Sequence, residues 1–208
     1  MKKRFALMGM LATTSLALFT SPALSFAQAR VGQLGNGGPF QERSGLSSWI
    51  AQANWSTYQG ANGRYEVQFP QQPRRQSITI SMDSENMDLT MTMLIHEDPG
   101  NNIVLMSASA PLASPPGMTI NPERRLDRGR DGAVAWMNAT IHQEDRITVQ
   151  GFPARSLVVS TPNQLRFQYV FIIDADNAML YQLMVGGLSV EHLNSPDARR
   201  FFNSFNIR

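Results

Sequence analysis

The sequence predicts an α+β fold: a single antiparallel sheet of about seven to eight strands with helices on both faces, an α/β/α sandwich. Apolar and polar residues alternate in Leu165–Asp174, which is the period of a strand, and Met179–Val185 alternates again after a polar turn. Both faces of this hairpin carry apolar side chains, so each face needs a cover. Two segments begin like helices, with a capping side chain followed by Pro122 and by Pro196.

The remaining strands are predicted from the same period and from the turn residues between them. They are Tyr65–Phe69, Ile78–Met82, Met87–Ile95, Ile103–Ser109, Arg146–Gln150 and Ala154–Ser160. Ser84–Asn86 and Asp98–Asn102 carry the polar residues of tight turns. Because the connections are short and most elements are strands, we expect one antiparallel sheet with a helix packed on each face.

The start of the chain has the pattern of a secretory signal peptide. A basic start at residues 2–4 precedes the apolar run Phe5–Phe19, and Ala27-Gln28-Ala29 fits the small-residue cleavage site. We predict that residues 1–29 are removed and that the protein is exported, to the periplasm or out of the cell. An uncleaved anchor helix is the alternative, which the short apolar run disfavours. No other stretch is long enough to predict a membrane span.

Residues 30–54 are predicted to form a flexible, glycine-rich N-terminal arm, and residues 55–208 the folded domain. Glycine and polar residues dominate Arg30–Ser48, a composition that cannot bury a core. Trp49, Ile50 and Trp55 are expected to dock the end of the arm onto the domain.

Composition excludes several kinds of chemistry. Removal of the signal also removes both lysines and Arg4, which leaves 15 of the 18 basic residues against 16 acidic ones. The mature chain is then close to neutral, which gives no support to nucleic-acid binding. Without lysine it has no Schiff-base or P-loop chemistry, and without cysteine it has no disulfide, thiol nucleophile or thiolate metal site.

Three short motifs resemble those of a widespread group of exported bacterial domains. Tyr65–Pro70 reads YEVQFP and is similar to the early Phe-x-Val-x-Phe-Pro of that group. Gly151–Arg155 is similar to its central Gly-x-Pro-Gly-Arg, with Ala154 in place of the usual glycine. Ala198–Phe205 fits its closing Ala-x-x-Phe-x-x-Ser-Phe. On these motifs the chain from Trp55 to Ile207 resembles the PsbP-like and DcrB-like α/β/α sandwiches.

The resemblance implies a fold and a kind of role. PsbP-like proteins are non-enzymatic partners of larger assemblies, and a related Ran-binding import factor uses the fold for protein contact. Since a shared fold does not transfer a binding site, no contact residue of those proteins is carried over to this sequence.

Histidine and methionine supply a candidate metal site. His96 follows Met91 and Met93 on one predicted hairpin, and imidazole and thioether groups bind copper, while imidazole also binds zinc. Alternatively, these methionines share an apolar strand face with aliphatic residues and fill the core. His142 and His192 lie near carboxylates, but without the spacing of a metal motif all three histidines are more typical of surface residues at strand ends and loops. No cofactor is predicted.

Arginines crowd the first predicted helix, at Arg124, Arg125 and Arg128. They are candidates for contact with an acidic partner, because a guanidinium binds carboxylates in a fork. Acidic residues interleaved with them at four-residue steps favour a salt-bridged, solvent-facing side of the helix instead.

The sequence carries no recognised catalytic motif: no Gly-x-Ser-x-Gly surrounds a serine, and no glycine loop joins a strand to a helix. Asp174 and Asp176 flank a turn, which is the ordinary place for aspartate. We therefore expect a non-enzymatic exported domain that binds an envelope protein or assists an envelope assembly. The alternative is a module that binds a metal or a small ligand, in a pocket between sheet and helix. A hydrolase whose site forms only in three dimensions is the third hypothesis.

Overall fold

Ten strands and three helices make up the part of the chain that a computed structural model describes, residues 54–60, 63–82, 87–112 and 119–208. These residues belong to the unit Ile50–Arg208. The predicted signal peptide, nearly all of the predicted arm and the predicted turn Ser84–Asn86 lie outside the described residues.

Strands dominate the order of elements along the chain. The bounds are β1 Ser56–Gln59, β2 Tyr65–Phe69, β3 Arg74–Met82, β4 Met87–Asp98, β5 Ile103–Pro111, α1 Pro122–Met137, β6 Thr140–Val149, β7 Phe152–Ser160, β8 Arg166–Asp174, β9 Met179–Gly187, α2 Val190–Leu193, α3 Pro196–Asn203 and β10 Asn206–Ile207.

Seven strands form one antiparallel sheet in the order β3-β4-β5-β9-β8-β7-β6. The predicted hairpin lies inside it as β8 and β9, paired from Arg166 with Gly187 to Asp174 with Met179. The carboxylate of Asp174 closes the turn, because it accepts hydrogen bonds from the backbone N and the Nδ2 of Asn177 at 2.9 and 2.8 Å. The antiparallel pairing and this hairpin are as predicted.

The expectation of a single sheet is wrong. β2, predicted as the first strand of that sheet, pairs with β1 and β10 in a separate three-stranded antiparallel sheet of the described residues. Its side chains Tyr65, Val67 and Phe69 are fully buried against residues of the large sheet, so β2 packs on that sheet rather than extending it. β1 is polar and mostly exposed, and β10 has two residues. Neither strand has the apolar alternation that a prediction needs.

Two hydrophobic cores lie on opposite sides of β8, because successive side chains of a strand point to opposite faces. Ile172 packs with Phe201 in one cluster, called here the first core. Phe171 packs with Leu126 in the other, called the second core. Every residue of Tyr169–Asp174 is buried. The expectation that both faces of the hairpin are covered near its turn is confirmed.

Both predicted helix starts are confirmed. Asn121 Oδ1 accepts the backbone N–H of Arg124 at 3.0 Å before α1, and Ser195 Oγ accepts that of Ala198 at 3.1 Å before α3. α1 contacts β7 and β8 and contributes to the second core, whereas α3 contacts β2 and contributes to the first. None of the described helices is both long and apolar enough to cross a bilayer.

Both ends of the described chain are held to the domain. Trp55 packs against the first core, as predicted, and the Arg200 guanidinium lies 5.0 Å from the centroid of its ring. At the other end, the backbone N of Arg208 donates to the carbonyl of Arg64 at 2.8 Å, and its guanidinium pairs with Glu66 on β2.

Gly132→Ala is expected to stabilise the protein by about 1 kcal/mol, the usual penalty for glycine inside a helix. A Cβ at Gly132 would meet nothing within 4 Å. Gly129→Ala is the contrast, since its Cβ would lie 3.3 Å from the ring of Phe171, and there we expect a smaller gain or none. Urea denaturation measures both variants, and a Gly132→Ala protein no more stable than the wild type would contradict the expectation.

Candidate functional site

A buried arginine lies between α1 and the large sheet. Arg155 is the largest fully buried side chain of the described residues, with 1% of its surface exposed. It alternates along β7 with Leu157 and Val159, which both belong to the second core, so its guanidinium points towards α1. This shared face is the signal in the sequence that identifies Arg155 as an inward-facing residue, and the short motif Gly151–Arg155 does not reveal it.

Three carboxylates surround Arg155. Its Nη2 donates to Glu123 Oε2 at 2.9 Å, and its Nη1 donates to Asp127 and lies 3.1 Å from Glu144 Oε1. Glu123 and Asp127 are one helical turn apart on α1, whereas Glu144 comes from β6. The hydrogen bond from Arg155 holds the pKa of Asp127 below its usual value.

The cluster acts as a structural tie, because its carboxylates leave little of the guanidinium for an external anion. A buried charge needs partners, and Arg155 has them for every nitrogen except Nε. Arg130 extends the network by donating to Asp131 at 2.8 Å and to Glu144 at 3.1 Å, and these bonds raise its pKa. The network fixes α1 to both β6 and β7.

β6 is an exposed edge of the seven-stranded sheet. Among the described residues it pairs with β7 alone, and every residue of Thr140–Thr148 is exposed. The register shifts between Ile141 and Gln143, so His142 forms a β-bulge. The strand begins at Thr140, well before the predicted Arg146. Pairing with β7 holds its polar first half in place. That half has no alternation of apolar and polar residues, so the sequence pattern does not predict it.

A cleft of about 450 Å³ lies between β6–β8 and the helices α2 and α3, on the side of the first core. Apolar side chains such as Ile147 and Phe202 form part of its wall, and neutral polar side chains such as Gln168 form another part. Arg199 of α3 also lines it. The volume is typical of small-molecule sites, about 300–1,000 Å³.

The structure does not bring the predicted metal ligands together. Met91 and Met93 lie in the second core. His96 lies on the other face of β4, together with Leu94, which belongs to the first core. Side chains on opposite faces of a strand do not share an ion. No group of three or more His, Asp or Glu residues in the described ranges has metal-binding geometry. His96 is also buried inside a strand rather than exposed at a loop, which corrects its expected place.

The other two histidines each contact a serine. His142 Nε2 lies 2.7 Å from both Ser160 Oγ and the Nη1 of Arg166, on the exposed edge. His192 Nδ1 lies 2.9 Å from Ser189 Oγ at the start of α2. None of the residues Ser160, Ser189, His142 and His192 lines the cleft, so these pairs give the hydrolase hypothesis no support.

The predicted contact arginines lie on α1. Arg124 and Arg128 are exposed and Arg125 is half-buried, and both Arg125 and Arg128 interact with other groups of the chain. The interleaved acids do more than pair along the helix, because Glu123 and Asp127 reach the buried guanidinium of the sheet. Contact between these arginines and an acidic partner stays a prediction.

The fold is similar to a solved structure. The solution structure of cyanobacterial PsbP (CyanoP) from Synechocystis sp. PCC 6803 matches with a TM-score of 0.51 and 11% sequence identity, over 79% of this chain and 98% of that chain. No protein-family model matches the chain, and no curated protein matches its sequence. At this identity the likeness shows the fold alone. The protein has a PsbP-like fold, as the resemblance of its motifs implied.

Arg155→Ala is expected to lower the free energy of unfolding by about 3 kcal/mol, because it removes a fully buried side chain together with its ion pairs to α1 and β6. Arg146→Ala is the matched control, since Arg146 is an exposed arginine whose Nε lies 3.6 Å from Glu123. Its expected cost is below about 1 kcal/mol. Urea denaturation compares the two variants, and equal losses would show that Arg155 is not the tie inferred here.

Stability is expected to fall as the pH drops below 6.5, the ordinary pKa of histidine. Burial lowers the pKa of His96, although Asp98 and Glu97 partly oppose this. Below pH 6.5 the unfolded chain therefore binds a proton that the folded chain does not. The stability that the neutral His96 contributes is complete above pH 6.5 and declines as the pH falls towards the pKa of His96 in the folded protein. Urea denaturation at about pH 7.5 and about pH 5.5 should show a smaller change for His96→Leu than for the wild type. An unchanged pH dependence in His96→Leu would refute this assignment.

Proposed function

We propose that the protein is an exported, non-enzymatic domain that binds another protein of an envelope assembly, and that β6 is the binding surface. The observation that carries this proposal is the exposed edge of β6, ten residues long and paired on one side only among the described residues. Such an edge recruits an extended segment of a partner through main-chain hydrogen bonds.

Export and the envelope partner rest on the signal-peptide pattern of residues 1–29 and on the resemblance to PsbP-like and DcrB-like domains. The likeness to cyanobacterial PsbP supports the fold. We also propose that the layers form an α/β/α sandwich. The membership of α1 in the second core and of α3 in the first supports that arrangement.

The turn after β6 determines which backbone groups face outward. Residues 150–151 have φ values of 52° and 87° and form a two-residue turn that is closed by Val149 and Phe152. In such a hairpin the closing pair exchanges both hydrogen bonds. The next pair, Thr148 with Pro153, is then a non-hydrogen-bonded pair, as the missing N–H of proline requires.

Alternation along β6 turns the N–H and C=O groups of Glu144, Arg146 and Thr148 away from β7. The side chains then indicate the chemistry of the partner. Asp145 and Ile147 share the face of β6 opposite α1, and residues of an added antiparallel strand would lie closest to them. The partner segment is therefore extended, with a basic residue opposite Asp145 and an apolar residue opposite Ile147.

Two registers of a second copy of the chain are unfavourable on this edge. Antiparallel registers centred on Asp145 or on Arg146 place that residue opposite its own copy, and like charges in that position destabilise a pair. The partner proposed here is a different protein. The predicted contact residues Arg124, Arg125 and Arg128 suit an acidic partner, but Arg125 and Arg128 already have contacts within the chain. We therefore favour β6.

Arg146→Pro tests the proposal. The variant removes an outward N–H and leaves the bonds to β7 in place, because the backbone of Arg146 points away from β7. We expect a partner captured from the native envelope to bind this variant at least about tenfold more weakly than the wild type. Arg146→Ala removes the same side chain but keeps the N–H, and it should retain the partner.

Native mass spectrometry of the captured complex identifies the partner, and a peptide from it with the expected basic and apolar residues should compete for binding. Circular dichroism establishes that both variants are folded. Retention of the partner by Arg146→Pro, or the absence of any specific partner of the wild type, would count against the proposal. Equal loss in both variants would assign binding to the side chain instead of the strand edge.

A further inference from the structure

We infer that the cleft between the large sheet and α3 binds a small carboxylic acid with an apolar body. This inference does not depend on the proposed strand partner of β6, although Ile147 belongs to both surfaces. A free small molecule is the occupant proposed here.

The walls of the cleft combine one apolar side with neutral hydrogen-bonding groups. These lining residues are the apolar Ile147, Val170 and Phe202 and the neutral polar Ser156, Gln168 and Asn203. Small-molecule sites have this composition, in which apolar walls supply burial and a few polar groups fix the orientation of the ligand. An aliphatic or aromatic body would lie against Phe202, with its polar end towards the amides.

Arg199 is the single charged residue among those that line the cleft. Its Nη1 donates to the carbonyl oxygen of Asn194, which holds the side chain in place. Its Nε and Nη2 have no hydrogen-bond partner in the described part of the chain. These two groups form one parallel edge of the guanidinium, the geometry that binds both oxygens of a carboxylate.

The charge of the lining selects a monoanion. One arginine and no acidic side chain line the cleft, so a single carboxylate is neutralised there. A second negative charge on the ligand would find no second cation in the lining. An uncharged ligand would lose the charge-assisted hydrogen bond with Arg199.

Titration with sodium octanoate, followed by two-dimensional amide NMR, tests the inference. We expect saturable shifts of the amides of residues such as Gln168 and Phe202. 1-Octanol has the same apolar chain without the carboxylate, and we expect it to bind at least about tenfold more weakly. Arg199→Gln should weaken octanoate binding by about tenfold or more for the same reason.

Arg200→Gln is the matched control. Arg200 is the next residue of α3 and carries the same charge, but it lies over Trp55 and does not line the cleft. We expect this variant to bind octanoate like the wild type. Octanoate shifts scattered over the surface, equal binding of 1-octanol, or wild-type affinity in Arg199→Gln would overturn the inference. The same spectra establish that both variants remain folded.

Discussion

A guanidinium can be buried only if partners are brought to it, and Arg155 imposes this condition on two other elements at once. Glu123 and Asp127 must come from α1, and Glu144 must come from β6. α1 buries only Leu126 completely, and β6 is exposed along almost its whole length. Hydrophobic burial alone therefore does little to position either element. Pairing with β7 fixes the register of β6, and the ionic cluster joins that hairpin to α1.

The two proposed binding surfaces meet at β6 and both depend on where it lies. Its Glu144 faces α1 and the buried arginine, while Ile147 faces the cleft on the other side of the sheet. The ion pair of Glu144 holds one face of β6. The outward backbone groups of the strand and its other face are therefore available for binding. A strand fixed in this way presents an ordered edge and an ordered wall at the same time.

The elements predicted well are those whose side chains alone specify them. β8 and β9 alternate clearly because both their faces are buried, and the capping residues Asn121 and Ser195 begin their helices by local hydrogen bonds. β1, β10 and the first half of β6 depend on pairing with distant strands, which leaves no local pattern. His96 lies on one face of β4 and Met91 and Met93 lie on the other, so these residues do not form one metal site. The cleft joins residues from several elements, so no single segment of sequence reveals it.

β2 receives its two neighbours from opposite ends of the domain, β1 just before it and β10 at the end of the chain. The first core is complete only when β2 is seated, because Tyr65, Val67 and Phe69 belong to it. β10 reaches β2 across a long stretch of sequence, since Asn206 and Glu66 are 140 residues apart. Contacts that close such long loops form slowly. Seating β2 between its two neighbours is therefore expected to be a late step of folding.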